Sequence, residues 1–291
     1  MKKHTLYVLA AGTLWGFMGY FVNTLGGLGI GPTGAVMLRC SVAAVCFGLT
    51  IAFKNPALFR VRLRDVWCFL GAGIPALLFF TYCYFTSMEY IDLSTAAILL
   101  YTAPSIVMVL SFFFFGERFS KCKLLALAMA FAGCVLVSGL GHGSMPAKGL
   151  LLGLGSGLGY ALFSIFARFA LNRGYDSLTV NFYACLLAGL GAMLIWNPAE
   201  TLSICFASGV NAAWCFATGA VTCYLPYLFY TLGLGGMETG RASILASLEP
   251  VVATLVGVFI FSQPLSLMSA AGVALVLGAI VVLNIKTKSK V

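Results

Sequence analysis

The stretch Ala96-Ala-Ile-Leu-Leu-Tyr-Thr-Ala-Pro104 returns 146 residues later as Ala242-Ser-Ile-Leu-Ala-Ser-Leu-Glu-Pro250. Each copy places its proline about halfway along a long apolar run, where a proline removes a helical hydrogen bond. Apolar sequences share some identities by composition alone, so the paired prolines are the strongest evidence for an internal repeat. The same offset aligns further residues without a gap: Gly73 with Gly219, Tyr84 with Tyr230, Phe113 with Phe259, and Ser120 with Ser266.

The composition around these runs is that of a membrane protein. Hydrophobic residues make up 61% of the 291 and charged residues 9%, whereas soluble domains carry about 25% charged residues. A membrane-spanning helix needs about 20 mostly apolar residues. Ten such runs, numbered here as helices 1 to 10, are predicted at 6–25, 33–53, 66–87, 93–115, 121–140, 149–170, 177–196, 212–234, 241–261 and 265–285. The first run lacks a small-residue cleavage site and is predicted to be a helix rather than a signal peptide.

The basic residues predict the orientation, because cytoplasmic flanks are enriched in lysine and arginine. If the N-terminus is cytoplasmic, one face collects fifteen of the seventeen: Lys2, Lys3, Lys54, Arg60, Arg62, Arg64, Arg118, Lys121, Lys123, Arg168, Arg173, Arg241, Lys286, Lys288 and Lys290. The other face holds Lys148, and Arg39 lies within helix 2. Both termini are therefore expected on the cytoplasmic side of a cytoplasmic (inner) membrane.

The repeat and the helix count together predict the architecture. Five helices per half is an odd number, so the second half must enter the membrane in the opposite orientation. An offset of 143 supports this by aligning Gly12 and Gly16 of helix 1 with Gly155 and Gly159 of helix 6. The prediction is an all-α polytopic membrane protein with two inverted five-helix repeats, 1–140 and 149–291. Inverted repeats are a common transporter architecture, with the substrate site near the midplane.

Several other classes of protein are disfavoured. The ten cysteines form no C-x-x-C pair and are typical of small buried hydrophobes, although Cys205 and Cys215 flank an outer loop and could pair. No metal, cofactor or nucleic-acid partner is expected, and the absence of a P-loop argues against ATP-driven transport. A lipid-modifying enzyme would need clustered histidines or acids, yet His4 and His142 lie on opposite sides. A channel would need a more polar lining than one buried acid and one arginine.

The chain resembles the EamA-type drug/metabolite transporters, on motifs that both halves carry. The first half has Thr102-Ala-Pro104 and Gly116-Glu-Arg-Phe-Ser120, and the second has Leu245-Ala-Ser-Leu-Glu-Pro250. Members usually have Gly-Glu at both half-ends, whereas Ser262-Gln263 stands here at the second. The resemblance implies ten helices, with helices 5 and 10 packed along a pseudo-two-fold axis. It also implies a central cavity and the movement, often export, of small organic solutes.

Glu249 is the most informative side chain, because a carboxylate about midway along a membrane helix is costly and needs a cavity or a partner. Its counterpart at the 146-residue offset is Ala103, so the acid breaks the repeat. It could serve as a protonatable group that couples protons or meets a cationic substrate. Alternatively, it is a structural acid that satisfies backbone groups freed by Pro250.

The other candidate residues have more than one interpretation. Pro104 and Pro250 are either hinges or static bends. Arg39 could bind a substrate carboxylate, pair with Glu249, or cap loop carbonyls near the outer surface, which we favour. Aromatic and hydroxyl residues that could line a cavity are Trp15, Tyr84, Tyr101, Tyr160, Tyr230 and Ser247. Each alone is typical of helix packing or an interfacial belt, but together they suit an amphipathic solute through stacking, cation–π contact and neutral hydrogen bonds.

The leading hypothesis is a secondary active transporter, an exporter, working by alternating access with protons as the candidate coupling ion. Its substrate would be a small amphipathic metabolite such as an amino acid, or a related drug-like compound. The alternative is an exporter of organic cations such as quaternary ammonium or guanidinium compounds. Besides substrate and membrane lipid no partner is expected; a monomer is predicted, with a dimer as the alternative.

Overall fold

The computed structural model describes residues 2–91, 93–138 and 146–284. In these ranges ten helices are long and apolar enough to span a membrane, and no β-strand occurs, so the predicted all-α fold with ten spans is confirmed. The helices are Lys3–Gly27, Pro32–Lys54, Leu63–Ser87, Thr95–Phe115, Lys121–Ser138, Ala147–Asn172, Ser177–Ile195, Gly209–Leu234, Thr239–Phe259 and Leu267–Asn284. They keep the numbers 1 to 10. The predicted positions His142, Lys286, Lys288 and Lys290 lie outside the described residues.

Helices 4 and 9 are each broken in the middle, as their prolines predict. Helix 4 consists of Leu93–Leu100 and Ala103–Phe115, and helix 9 of Thr239–Ala246 and Glu249–Phe259. In both, the proline is the second residue of the later segment, a position where its missing N–H is tolerated. Ala103 and Glu249 therefore open equivalent half-helices.

Helices 3 and 8 share a second irregularity, which the sequence did not predict. Ala72–Leu78 in helix 3 and Ala220–Tyr224 in helix 8 are π-helical. At the 146-residue offset the two π segments end at equivalent positions. A π turn shifts the hydrogen-bond pattern by one residue and is frequent at functional sites.

The two halves interleave and share one core. Helix 1 packs on helices 8 and 9, helix 2 on helices 7 and 8, helix 3 on helices 6 and 7, and helix 4 on helices 6 and 9. Each of these contacts joins the first half to the second. The boundaries 1–140 and 149–291 and the inverted relation of the halves stay predictions, but the packed unit is the whole chain.

Helices 5 and 10 pack closely against each other, as the family resemblance implies. A Cβ atom added to Gly133 would lie 2.7 Å from the carbonyl oxygen of Gly272, and one added to Gly272 would lie 2.7 Å from that of Gly133. Small residues allow such close backbone approach in membranes. The 146-residue offset relates these glycines to Ala279 and Ala126, and both alanines are fully buried.

The contacts of helices 1 and 6 correct the predicted offset of 143. A Cβ on Gly12 would lie 3.2 Å from the carbonyl oxygen of Ala246, and one on Gly157 3.4 Å from that of Leu100. Ala246 and Leu100 are equivalent at the 146-residue offset, so Gly12 corresponds to Gly157 and not to Gly155. The prediction was wrong by two residues because helix 6 has glycine at several alternate positions, which allows more than one alignment.

Candidate functional site

Helix 1 contacts the break in helix 9 through its glycines. A Cβ on Gly12 would lie 3.3 Å from Cβ of Leu248, and one on Gly16 would lie 2.9 Å from the carbonyl oxygen of Glu249. Only glycine allows the helix to come this near to the backbone of the break. This close approach brings Trp15, between the two glycines, to the centre of the molecule, where its ring is buried.

Helix 6 contacts the break in helix 4 in the same way. A Cβ on Gly157 would lie 2.8 Å from the carbonyl oxygen of Leu99 and 2.7 Å from Oγ1 of Thr102. Tyr160, one turn further along, corresponds to Trp15 at the corrected offset of 145. Their ring centroids are 6.2 Å apart. The two broken helices thus hold a tryptophan and a tyrosine in edge-to-face contact at the centre.

An aromatic cluster surrounds this pair. The Trp15 ring lies 5.2 Å from that of Tyr227 and 5.5 Å from that of Tyr230, while Tyr160 lies 5.6 Å from Phe80. A small cavity of about 10 Å³ remains between them, lined by Trp15, Ala76, Leu77, Phe80, Tyr160, Phe163, Ser164, Tyr227 and Tyr230. That is room for about one water molecule. Phe80 and Phe163 were not among the predicted residues, because nothing in their local sequence distinguishes them from lipid-facing phenylalanines.

Glu249 borders this cluster. The Tyr160 hydroxyl lies close to its carboxylate, and the negative charge also acts on Tyr84 and Tyr101. All four side chains keep part of their surface exposed, although Glu249 and Tyr160 lie near the middle of their helices. The predicted residues Glu249, Tyr84, Tyr101 and Tyr160 are therefore brought together, as partly accessible polar groups in an apolar region.

Two other predicted residues are more enclosed. Tyr230 is 3% exposed, and its hydroxyl lies 2.6 Å from Oγ of Ser164. Ser247 is buried in the turn that breaks helix 9, with its N–H bonded to the carbonyl of Ile244 at 3.2 Å. Tyr230 contributes its ring to the cluster, and Ser247 contributes to the break.

The contact of Arg39 contradicts the favoured expectation that its side chain caps loop carbonyls near the outer surface. Its Nη2 donates to the carbonyl oxygen of Thr222 at 2.9 Å. Thr222 lies about 20 Å from the start of helix 8, at 1.5 Å per residue. This oxygen is in the π segment, where the shifted pattern offers a carbonyl inside the protein. Nε is buried without a partner among the described residues. The positive charge acts on Glu249, but no ion pair within 4.0 Å joins the two in the described part of the chain.

A polar network closes the end of the molecule where helices 4 and 6 end and helix 9 begins, called here the basic face. The Glu117 carboxylate accepts hydrogen bonds from the backbone N–H of Thr239 at 2.5 Å and of Gly240 at 3.0 Å. Arg168 donates from Nε to Oγ1 of Thr239 at 2.9 Å and from Nη2 to the carbonyl of Met237.

An ion pair extends this network. Lys123 Nζ lies 2.8 Å from the Glu238 carboxylate and donates to the carbonyl of Arg118 at 2.9 Å. The network thus joins the end of helix 4, the start of helix 5, the end of helix 6 and the start of helix 9. Sequence reasoning assigned none of these roles. Glu117 was noted only as part of the Gly-Glu motif, which was the available signal.

The opposite face has uncharged counterparts at two of these positions. The 146-residue offset relates Glu117 to Gln263 and Lys123 to Ser269. The Gln263 N–H bonds the carbonyl of Gly257 at 3.0 Å, and that of Ser269 bonds Oγ of Ser266 at 3.0 Å. These are contacts within one loop rather than between halves. Asp92, the counterpart of Glu238, lies outside the described residues.

The ten cysteines are all free thiols, so the suggested Cys205–Cys215 disulfide is not present. Both of those side chains are buried. Cys185 and Cys223 have their Sγ atoms 4.0 Å apart in the core. Among the described residues no group of histidine, cysteine and acidic side chains could hold a metal ion.

Ten apolar helices, two of them broken and one of these with a carboxylate at its break, are typical of a multi-pass membrane transporter. The comparisons with known proteins agree. The chain belongs to the EamA-like transporter family, whose model matches residues 2–139 and again residues 147–285. As a membrane transporter it contacts lipid and a small-molecule substrate.

Individual relatives cover most of the chain. An uncharacterized transporter of Archaeoglobus fulgidus is 28% identical over 97% of this chain and 96% of its own length. The uncharacterized transporter YetK of Bacillus subtilis is 26% identical over 88% of this chain and 78% of its own. A protein with a solved crystal structure shares the fold with a TM-score of 0.82, at 19% identity, covering 98% of this chain and 97% of that one.

Proposed function

We propose that this transporter is a secondary active exporter of a small amphipathic solute, such as an amino acid or a related drug-like compound. The single observation that carries the proposal is the position of Glu249. It opens the second segment of a broken helix, it lies close to the Tyr160 hydroxyl, and it keeps part of its surface exposed in the middle of the fold. Discontinuous helices at the midplane commonly form the substrate sites of transporters.

The chemistry of the neighbouring groups suits a solute that carries both charge and an apolar part. The Glu249 carboxylate can pair with an ammonium group, while Nε of Arg39, buried without a partner among the described residues, can donate to a carboxylate. The rings of Trp15 and Tyr160 offer stacking and cation–π contact. We infer that Glu249, Arg39 and these rings contact the substrate, and that Tyr84 and Tyr101 extend the site.

We infer an alternating-access mechanism from the contacts at the basic face. We infer that the Glu117, Arg168 and Thr239 contacts keep the basic face shut, and that they open when the halves rock about helices 5 and 10. The breaks before Pro104 and Pro250 would serve as the hinges, because the two turn residues at each break lie outside the helical segments. We propose that the basic face lies on the cytoplasmic side of a cytoplasmic membrane. We also propose that the protein works as a monomer.

Proton coupling rests on the same carboxylate. A proton on Glu249 removes the charge that holds an ammonium group, so protonation from one side and release to the other would drive exchange with the substrate. The test is flux of radiolabelled phenylalanine and threonine into proteoliposomes with and without an imposed pH gradient. We expect the wild type to respond to the gradient and Glu249→Gln to transport without responding.

Glu200→Gln is the matched control, because Glu200 is an exposed acid far from the site. An unchanged rate and pH profile in Glu249→Gln would eliminate proton coupling through this residue. Failure of the wild type to move any amino acid would contradict the proposed substrate class.

Export of organic cations is the second candidate, favoured by the aromatic rings that lie beside Glu249. The two candidates differ in their need for Arg39, because a cation such as tetraphenylphosphonium has no carboxylate. Arg39→Gln should abolish amino-acid flux and spare tetraphenylphosphonium flux if both are substrates. Tetraphenylphosphonium flux without amino-acid flux in the wild type would favour the cation exporter.

A further inference from the structure

The loop between helices 2 and 3 is strongly basic. It runs from Lys54 to Arg64 and carries Arg60 and Arg62 between them, with no acidic residue in the segment. Asp65 follows directly, and its carboxylate lies 3.1 Å from Nε of Arg173 and 4.0 Å from Nε of Arg64. The loop therefore presents four positive charges, one of them beside Asp65, where two membrane helices leave the bilayer.

Hydrogen bonds from the neighbouring half hold this loop in a defined shape. Thr179 Oγ1 donates to the carbonyl of Leu58 at 2.8 Å, and the Tyr183 hydroxyl donates to the carbonyl of Phe59 at 2.7 Å. The Arg62 N–H donates to the Tyr175 hydroxyl at 3.1 Å. A loop attached at three points within five residues presents its side chains in a fixed arrangement and loses little entropy on binding.

The side chains of Arg60 and Arg62 point away from the body of the protein. The backbone is extended at Arg60 (φ −77°, ψ 121°) and Arg62 (φ −76°, ψ 135°), so successive side chains alternate in direction. Val61, between them, packs against the core, while both arginines are exposed. Within the described ranges no carboxylate lies within 4.0 Å of Lys54, Arg60 or Arg62.

Large apolar side chains flank the charges. Phe53, in the last turn of helix 2, is 88% exposed, and Leu63, between Arg62 and Arg64, is 91% exposed. At a water-exposed surface such residues would be unfavourable, but beside a bilayer they can enter the acyl region while the guanidinium groups stay among the headgroups. The combination is that of a membrane-surface docking segment.

We propose that the 54–64 loop binds the headgroups of anionic phospholipids in the surrounding leaflet. Positively charged side chains form charge-assisted hydrogen bonds with phosphate, and lysine as well as arginine binds it through its charge. Basic segments next to membrane helices are attracted to anionic lipids. This site is separate from the substrate site and does not depend on the proposed function, since neither Glu249 nor the aromatic cluster takes part in it.

Native mass spectrometry of the detergent-purified chain tests the proposal, with an equimolar mixture of dioleoylphosphatidylglycerol and dioleoylphosphatidylcholine. We expect the wild type to retain more phosphatidylglycerol. Each arginine replaced by glutamine should reduce this preference about fivefold, since a basic residue at an anionic surface contributes about 1 kcal/mol. The combined variant is Arg60→Gln/Arg62→Gln/Arg64→Gln, and Lys286→Gln/Lys288→Gln/Lys290→Gln is a control with the same change in net charge.

Four outcomes would overturn the proposal. One is equal retention of both lipids by the wild type, and another is an equal loss of preference in the tail control. The third is displacement of phosphatidylglycerol by an equal concentration of inorganic phosphate, which would indicate a site for small anions. The fourth concerns Arg60→Lys/Arg62→Lys/Arg64→Lys, which keeps the charge and should keep most of the preference. If it loses as much as the glutamine variant, charge does not attract the lipid. Elution of all variants at the wild-type volume in size-exclusion chromatography confirms that they fold.

Discussion

Glu117 accepts a hydrogen bond from the backbone N–H of Thr239, so an acid from the first half caps a helix of the second. The same carboxylate bonds the N–H of Gly240. Negative charge is favourable at a helix N-terminus, where N–H groups lack helical partners. Beside it, Arg168 bonds both the Thr239 side chain and the Met237 carbonyl. Glu117 therefore makes two of the contacts that join the halves at the basic face.

Glu117→Gln is expected to weaken this closure. The amide keeps one acceptor but loses the charge and the second acceptor, which should lower stability by about 1 kcal/mol. For a chain of this size that corresponds to a fall in Tm of about 2–4 °C, measured by thermal unfolding in detergent. Glu89→Gln, in an exposed turn outside any helix start, should leave Tm nearly unchanged. Equal shifts in the two variants would show that the Glu117 contacts add nothing specific.

Tyr160→Phe is expected to reduce transport without unfolding the protein. The change removes the hydroxyl beside Glu249 but keeps the ring that packs on Trp15 and Phe80. A hydrogen bond to a charged group contributes about 1.5–3 kcal/mol, so we expect flux in proteoliposomes to fall by roughly tenfold or more. Tyr230→Phe is the control, because that hydroxyl pairs with Ser164 instead. A smaller effect in Tyr160→Phe than in the control would argue against a role for the hydroxyl at Glu249.

Gly133→Ala is expected to destabilise the contact between helices 5 and 10. The new Cβ would lie 2.7 Å from the carbonyl oxygen of Gly272, and a backbone atom cannot move aside as a side chain can. Overpacking of this kind typically costs about 1–3 kcal/mol, which thermal unfolding would register as a lower Tm. Gly19→Ala has no neighbour within 4 Å and should be neutral or slightly stabilising, because alanine favours the helix. Similar Tm values for the two variants would contradict the close approach.

Much of the fold was predictable, because its determinants are local. The lengths of the apolar runs predicted the ten helices. Pro104 and Pro250 predicted the breaks, because a missing N–H interrupts the hydrogen bonds of any helix. The central grouping of Glu249 with Tyr84, Tyr101 and Tyr160 was also anticipated from the cost of a mid-membrane carboxylate. The functional roles given to these residues remain predictions.

The rest depends on partners distant in sequence. Arg39 could not be assigned to the Thr222 carbonyl, because nothing in the sequence announces the π segment of helix 8. Glu117 could not be assigned to Thr239, which lies 122 residues away in the other half. The glycines of helix 6 gave an alignment that was wrong by two residues, because small residues recur too often there to identify a unique register.

The interleaving of the halves has a consequence for biosynthesis. His4, at the start of helix 1, donates from Nδ1 to the carbonyl of Leu232, 228 residues further along the chain. At a synthesis rate of about 5–20 residues per second, helix 1 stays in the bilayer for roughly 10–45 seconds before that partner exists. Throughout this interval the glycines that later contact helix 9 face lipid or an insertion factor. The first half is thus a folding intermediate whose packing is completed only when the second half has been synthesised.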